Sequence, residues 1–339
     1  MTHRNRFVLA LRRHCLLAAL PLAAALASVP AGPAVAAEFP VAGKPIRIVV
    51  PFPPGGQTDL QARVVAPLLG EAVGASVVVE NKPGGNMVIA VQDVIRAAPD
   101  GHTLLYANAP AFTRNPFLFN NLPYDPFKDF TPVSQFVQAL NVLTAHPDLP
   151  ANDVKQLVAY AKSSGRPLKY GTAGLGSNSQ VLMELLRSSA GIELVAVPYK
   201  GTADAARDLM AGVIDLYIDG TQTAVQNAKA GKVKMLGITG TKRLDVLPEL
   251  ATFVEQGFPA MNIIGWIGFF GPAGMPADVT ARLQAELAKI AQRPEVAQMI
   301  RTGGNEPYGS SSAELAASIR SEYDRMNALF KELKIQKIQ

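Results

Sequence analysis

The sequence predicts an α/β fold of two lobes with a ligand cleft between them. Three observations lead there: strand-like and helix-like runs alternate, the alternation restarts after a polar break, and the last section is too poor in strands to stand alone. In chain order the first runs are "IRIVVPF", a helix from about Asp59 to Val73, "SVVVEN", a helix from about Met87 to Ala97, and "HTLLYAN". The order β-α-β-α-β argues for parallel strands flanked by helices. Turns between them are marked by "NKPGG" at 81–85 and "PDG" at 99–101, where proline, a short polar residue and glycine suit a tight reversal. Pro67 removes a backbone donor inside the first helix pattern, which predicts a kink or an early break there.

After "LNVLTAHPDLPAND" the pattern begins again with "DVKQLVAYAKSSG", "LKYGTA", "SQVLMELLRSSAG", "ELVAVPY", "TADAARDLMAG", "VIDLYID", "TAVQNAKAG" and "VKMLGITG". The section from "GWIGFFGPAGMPADV" onward is helical apart from one clear strand, so it returns to complete the first unit. The expected division is a leader at 1–37, a first lobe of 38–140 with 262–339, and a second lobe of 141–261. About 300 residues exceed what a single core usually supports, which agrees with two units.

The leader reading rests on Arg4, Arg6, Arg12 and Arg13 without an acidic residue, then an apolar run from Leu16 to Val29, then small residues at Ala34, Ala36 and Ala37. This is the pattern of a secretory signal peptide. Its apolar core is shorter than the roughly 20 residues a membrane span needs. The only cysteine, Cys15, precedes that core, so the mature chain has no disulfide and no lipid-anchored thiol. Without the four leader arginines the formal charge of +5 falls to about +1, and no basic cluster interleaved with aromatics remains. Nucleic acid is excluded as a partner on that ground.

The loop "PFPPGGQTD" at 51–59 joins a strand to a helix, and its residues Phe52, Pro54, Gly55, Gly56, Thr58 and Asp59 are candidates for ligand contact. Glycine pairs let backbone N–H groups approach a ligand, and a helix N-terminus favours an anion. Thr58 or Asp59 can instead cap the helix. The "GK" of a phosphate loop is absent. A second loop of the same kind lies in "KYGTAGLGSNSQ", with candidates Thr172, Gly174, Gly176, Ser177 and Asn178; Ser179 stands where a dinucleotide fingerprint would need its third glycine. Two anion-cradling turns suggest a carboxylate gripped from both sides. Asn108, ending "HTLLYAN", either donates to the ligand across the cleft, the reading taken here, or caps its loop, and Asp219, ending "VIDLYID", either faces the ligand or caps the helix that begins near Thr221. Trp266 is read as packing or hinge cover. His102 and His146 lie far apart, neither "HExxH" nor "GxSxG" occurs, and no nucleophile stands beside a base, so no catalytic residue, metal ligand or cofactor is assigned.

The ordered motifs "KPIRIVVPFPPGGQTDLQARVVAPLL", "VVVENKPGG", "APDGHTLLYAN", "LPYDPFKDFTPV", "VPYKGTADAARDLMAGVIDLYID", "AGKVKMLGITG" and "GPAGMPADVTARL" closely resemble the Bug family, the extracytoplasmic solute receptors of tripartite tricarboxylate transporters. The resemblance implies a type II periplasmic-binding-protein fold and a periplasmic, monomeric receptor. Such a receptor delivers a small organic acid or amino-acid-like ligand to a two-component membrane permease. It also implies that the ligand carboxylate is held by main-chain groups and water at the loops matching Phe52 to Thr58 and Thr172 to Asn178. Gln180 stands where many members carry histidine, and Asn178 where many carry serine. An enzyme or a sensor acting on a small organic acid is the alternative.

Export with cleavage predicts that the mature protein begins at Ala37 or Glu38. Mass spectrometry of the exported protein checks this, and a mature form that retains residues 1–30 contradicts it.

Overall fold

The computed structural model describes residues 39–174, 176–199, 201–332 and 337. The leader expected over 1–37 lies outside these. Two sheets organise the chain. The first begins with β1 (Ile46–Val50), whose four β-branched side chains are buried while Arg47 is half-buried. The chain continues through α1 (Gln57–Val73), β2 (Val77–Asn81), α2 (Val88–Ile95), β3 (Thr103–Asn108), the one-turn helices α3 (Pro110–Thr113) and α4 (Asn115–Leu118), and β4 (Phe130–Ala139). Helix α1 buries Ala62, Val65, Ala66, Leu69 and Val73 against β1, the three-to-four spacing of an amphipathic helix. Each large apolar side chain so buried contributes about 1.5–3 kcal/mol.

Leu140 alone separates β4 from β5 (Asn141–Ala145), the first strand of the second sheet. That sheet is completed by α5 (Val154–Ser163), β6 (Leu168–Thr172), α6 (Asn178–Ala190), β7 (Leu194–Pro198), α7 (Thr202–Met210), β8 (Leu216–Gly220), α8 (Thr221–Lys229) and β9 (Lys234–Ile238). The chain then returns with β10 (Gly265–Pro272), α9 (Ala277–Ala291), α10 (Pro294–Thr302), β11 (Asn305–Pro307) and α11 (Ser312–Glu332). Strand order is β11-β4-β10-β3-β1-β2 in the first sheet and β7-β6-β8-β5-β9 in the second.

Both sheets are mixed, where alternation alone predicted parallel ones. β1 runs parallel to β2 and β3, and β6 parallel to β7 and β8. The strands next to the crossings, β4, β5 and β10, pair antiparallel with their neighbours. A strand that carries the chain from one sheet into the other runs against the βαβ units it joins. The last section also holds a second strand, β11, three residues long and paired with β4. Helix α1 runs through Pro67 to Val73 without a break. Pro67 is exposed, so the Arg63 carbonyl it leaves unpaired lies on the watered face.

Helix α11 belongs to two cores. Leu315 and Ile319 pack with β3 and β10 residues under the first sheet, whereas Met326, Leu329 and Phe330 join Leu182, Leu186 and Leu216 under the second. A Cβ placed on Gly176 would come within 3.0 Å of the Phe330 ring, so the terminal helix supports the glycine loop that precedes α6. Phe330→Ala should lower the unfolding free energy by about 3–5 kcal/mol in a urea titration. A loss below about 1 kcal/mol would show that α11 does not hold the second core.

Candidate functional site

The parallel strands β1 and β3 of one sheet and β6, β7 and β8 of the other end in loops at their carboxyl edges, the usual place for ligands in open α/β sheets. After β1 the chain passes through Phe52, Pro54, Gly55 and Gly56 into α1. The N-cap is Gly56, and no side chain caps the helix, so neither Thr58 nor Asp59 does what capping predicted. Asp59, third in the helix and 1% exposed, reaches back instead. Its carboxylate accepts the Gly55 N–H at 2.8 Å, the Arg63 Nε–H at 3.0 Å and the Asn81 Nδ2–H at 2.9 Å. The Arg63 hydrogen bond, followed by those from Gly55 and Asn81, outweighs the cost of burial and holds the carboxyl down to about 2. Asn81 also donates to the Phe52 carbonyl at 3.0 Å, which ties the loop to the end of β2.

The two glycines differ. Gly55 has φ +83°, a left-handed conformation that a side chain resists, while Gly56 has φ −73° and ψ 163°. A Cβ on Gly56 would meet only the Pro53 carbonyl, at 3.5 Å. The conformational demand of the turn therefore falls on Gly55 and not on Gly56. The first backbone bond of the helix runs from Leu60 N–H to the Gly56 carbonyl, so the N–H groups of Gln57, Thr58 and Asp59 have no acceptor within the helix.

The second loop is bonded to itself. Ser177 caps α6 by accepting from Gln180 N–H, Thr172 Oγ1 donates to the Gly174 carbonyl at 3.0 Å, and Ser177 Oγ lies 3.0 Å from both Thr172 Oγ1 and Ser179 Oγ. Ser179 Oγ accepts the Ala173 N–H, and Gln180 Oε1 accepts the Gly176 N–H at 2.8 Å. Three main-chain donors expected for an anion thus have internal partners, since Ser177 N–H bonds the Gly174 carbonyl. Gln180 is what satisfies Gly176.

A cavity of about 590 Å³ lies between the loops and takes walls from both sheets. Of the sequence candidates, Phe52, Gly176 and Ser177 line it. Pro54, Gly55 and Gly56 stand exposed beside it, and Asn178 reaches it through a neighbour: its Oδ1 accepts a hydrogen bond from Arg114 Nη2. Arg114, Asn115 and the turn Gly84–Met87 also line the cavity, and sequence reasoning missed all of them. Asn86 and Met87 have positive φ, 49° and 75°, and Asn115 Nδ2 bonds the Asn86 carbonyl at 2.7 Å. Strained non-glycine backbone of this kind clusters at functional sites. The available signal was a lone charged residue, arginine, inside the largely apolar "PAFTRNPFLF".

Asn108 ends β3 with its Oδ1 buried and without a partner among the described residues. An orphaned acceptor there suits a donor such as an ammonium or hydroxyl group. Asp219 is 6% exposed at the end of β8, and its Oδ1 accepts the adjacent Gly220 N–H at 2.8 Å. It does not cap α8, whose N-cap is Gly220 with no side-chain bond. Burial pushes its carboxyl up to about 6. Trp266 is buried beside Phe112 and Phe270, in line with a packing role. Among the described residues no group of three His, Cys, Asp or Glu side chains could hold a metal ion, and no helix is long and apolar enough to cross a membrane.

A family model described as "Tripartite tricarboxylate transporter family receptor" matches residues 61–335. Among solved structures, an R. palustris protein with adipate is 32% identical, with a TM-score of 0.72 over 89% of this chain and 100% of that one. The periplasmic binding protein BugD is 32% identical, with a TM-score of 0.69 over 88% and 100%. MatC from Rhodopseudomonas palustris, with bound malate, is 30% identical, with a TM-score of 0.66 over 84% and 98%. The two-lobed fold of periplasmic solute-binding proteins is thus the fold of this chain.

The buried Asp219 makes stability depend on pH. Its folded pKa lies above its ordinary 3.8, so its contribution is fully present below about pH 4 and is lost as pH rises through about 6. Asp219→Asn keeps the acceptor and removes the charge. Above pH 7 the variant should be more stable than the parent by up to about 3 kcal/mol, the difference vanishing near pH 4. Urea unfolding across that range checks this; a difference that does not change with pH would refute it.

Proposed function

The chain belongs to the tripartite tricarboxylate transporter receptor family, and we propose that it captures a small carboxylate-bearing solute between its lobes for delivery to a two-component membrane permease. The family and its solved members are receptors, and the chain is a receptor rather than an enzyme. Relatives of the chain are periplasmic proteins. In our reading the leader at 1–37 takes this one to the same compartment, where it works as a monomer.

The observation that carries the proposal is the cavity shared by the two sheets at the carboxyl ends of their parallel strands. In this reading the first lobe, 38–140 with 262–339, carries the candidates Phe52, Pro54, Gly55, Gly56, Thr58, Asp59 and Asn108, of which Phe52 lines the cavity. The second, 141–261, carries Thr172, Gly174, Gly176, Ser177, Asn178 and Asp219, of which Gly176 and Ser177 line it. Their roles divide. Asp59 and Thr172 shape the loops, and the first-turn N–H groups of α1 are the donors left for a carboxylate, helped by the positive end of the helix. Helix α11, packed into both cores, lets the lobes approach without separating. Relatives solved with adipate and with malate support a small organic acid as the solute.

Because Gly56 has room and ordinary dihedrals for a side chain, Gly56→Val should leave the thermal melt within about 2 °C while blocking the approach to the α1 N–H groups. Hydrogen bonds to a charged group are worth roughly 1.5–3 kcal/mol, so losing one or two should weaken binding about ten-fold to several thousand-fold. Calorimetry with adipate, malate and a set of amino acids measures this. An affinity within a factor of two of the parent, on an unchanged melt, places the carboxylate elsewhere.

A further inference from the structure

We propose that Arg114 determines specificity by taking a second anionic group of the ligand, at the opposite end from the carboxylate held by main-chain N–H groups. This rests on the solute-capture reading above and adds to it the residue that selects between acids of one charge and two.

Arg114 joins α3 to α4 and is 3% exposed. It is the one charged side chain among the described residues lining the cavity, whose other walls include Phe52, Pro83, Met87, Pro110 and Leu118. Among the described residues one N–H of its five is committed, to Asn178 Oδ1. Its Nε is buried with no partner among the described residues. The nearest carboxylate, Glu322, stands 3.7 Å from Nη2, outside hydrogen-bond range, and is already engaged: Oε2 accepts the Trp266 Nε1–H at 2.7 Å, and Oε1 lies 3.2 Å from the Thr113 hydroxyl, which shares its one proton with the Ala109 carbonyl at 3.0 Å. A buried guanidinium with free donors and a shared counter-charge is incompletely satisfied, and burial works against its charge. A second carboxylate entering from the cavity supplies what it lacks, in the two-pronged geometry that arginine offers and lysine does not. The apolar walls fit a methylene spacer between the two charged ends. Asn178 opens α6, so a ligand held by Arg114 also bears on the second sheet.

The sole tryptophan reports on this site, since Trp266 shares Glu322 with Arg114. The probes are α,ω-dicarboxylates of about four to eight carbons and the monocarboxylates of equal length, titrated against the full mature chain by calorimetry and by Trp266 fluorescence. The parent should prefer the best diacid over its monoacid by at least about ten-fold, with an emission change for diacids alone. In Arg114→Gln the preference should fall to within about three-fold, with the larger loss on the diacids. Arg114→Lys should keep part of the preference, and it carries the test if the glutamine variant does not fold. Equal losses for both series would make Arg114 a structural latch and overturn the proposal, as would a parent that binds monoacids as tightly as diacids. A parent that binds neither series, nor any member of the panel used for Gly56→Val, overturns the solute-capture reading itself.

Discussion

The placement of β10 is the constraint on which the rest depends. It lies between β3 and β4 and pairs antiparallel with both, so β4 joins the first sheet only through a strand that follows the whole second sheet in sequence. The chain must leave at Leu140, build β5 to β9, and come back before the first sheet is complete. Two crossings and a terminal helix buried in both cores then hold the sheets so that their carboxyl-edge loops face a common cavity. The site follows from this connectivity, because neither loop alone encloses a ligand.

Within that frame, hydrogen-bond satisfaction divides the work of the loops. Buried or half-buried backbone donors need partners, and here Asp59 takes Gly55 N–H while Gln180 and Ser179 take those of Gly176 and Ala173. These bonds fix the loops in shape and spend the donors that the glycines had suggested for a ligand. What remains is the start of α1, whose first N–H groups have no acceptor within the helix. The Asp59 carboxylate beside them offsets part of the helix's positive end. In the proposed reading discrimination among anions falls to a full charge, and Arg114 is the one charged side chain among the described residues lining the cavity.

The order of strands and helices, the two lobes and the position of both loops at strand ends were legible from alternation and from proline and glycine punctuation. Strand partners were not. The run "WIGFF" has the same pattern whether it pairs with β3, with β4 or with both, and direction of pairing leaves no trace in periodicity. Nor does sequence distinguish Gly55, which needs its left-handed φ, from Gly56, which does not. Asp59 carried a capping signature but serves a donor before the helix. Arg114 escaped because its meaning comes from burial, and a charged residue between two one-turn helices reads as solvated until the fold closes over it.

Burying an arginine and a glutamate is costly, and well-packed apolar side chains often replace such pairs with equal or better stability. Stability is thus a weak reason for Arg114 and Glu322 to be where they are. Their arrangement is also loose for an ion pair at 3.7 Å, with Glu322 bound more closely to Trp266 than to the arginine. What the pair does is join four elements, the α3–α4 junction, β10, α11 and the start of α6, through one cluster at the cavity wall. A charge arriving in the cavity acts on all four at once. An apolar substitute could pack as well, but it could not make the meeting of the two sheets depend on the charge of what lies between them.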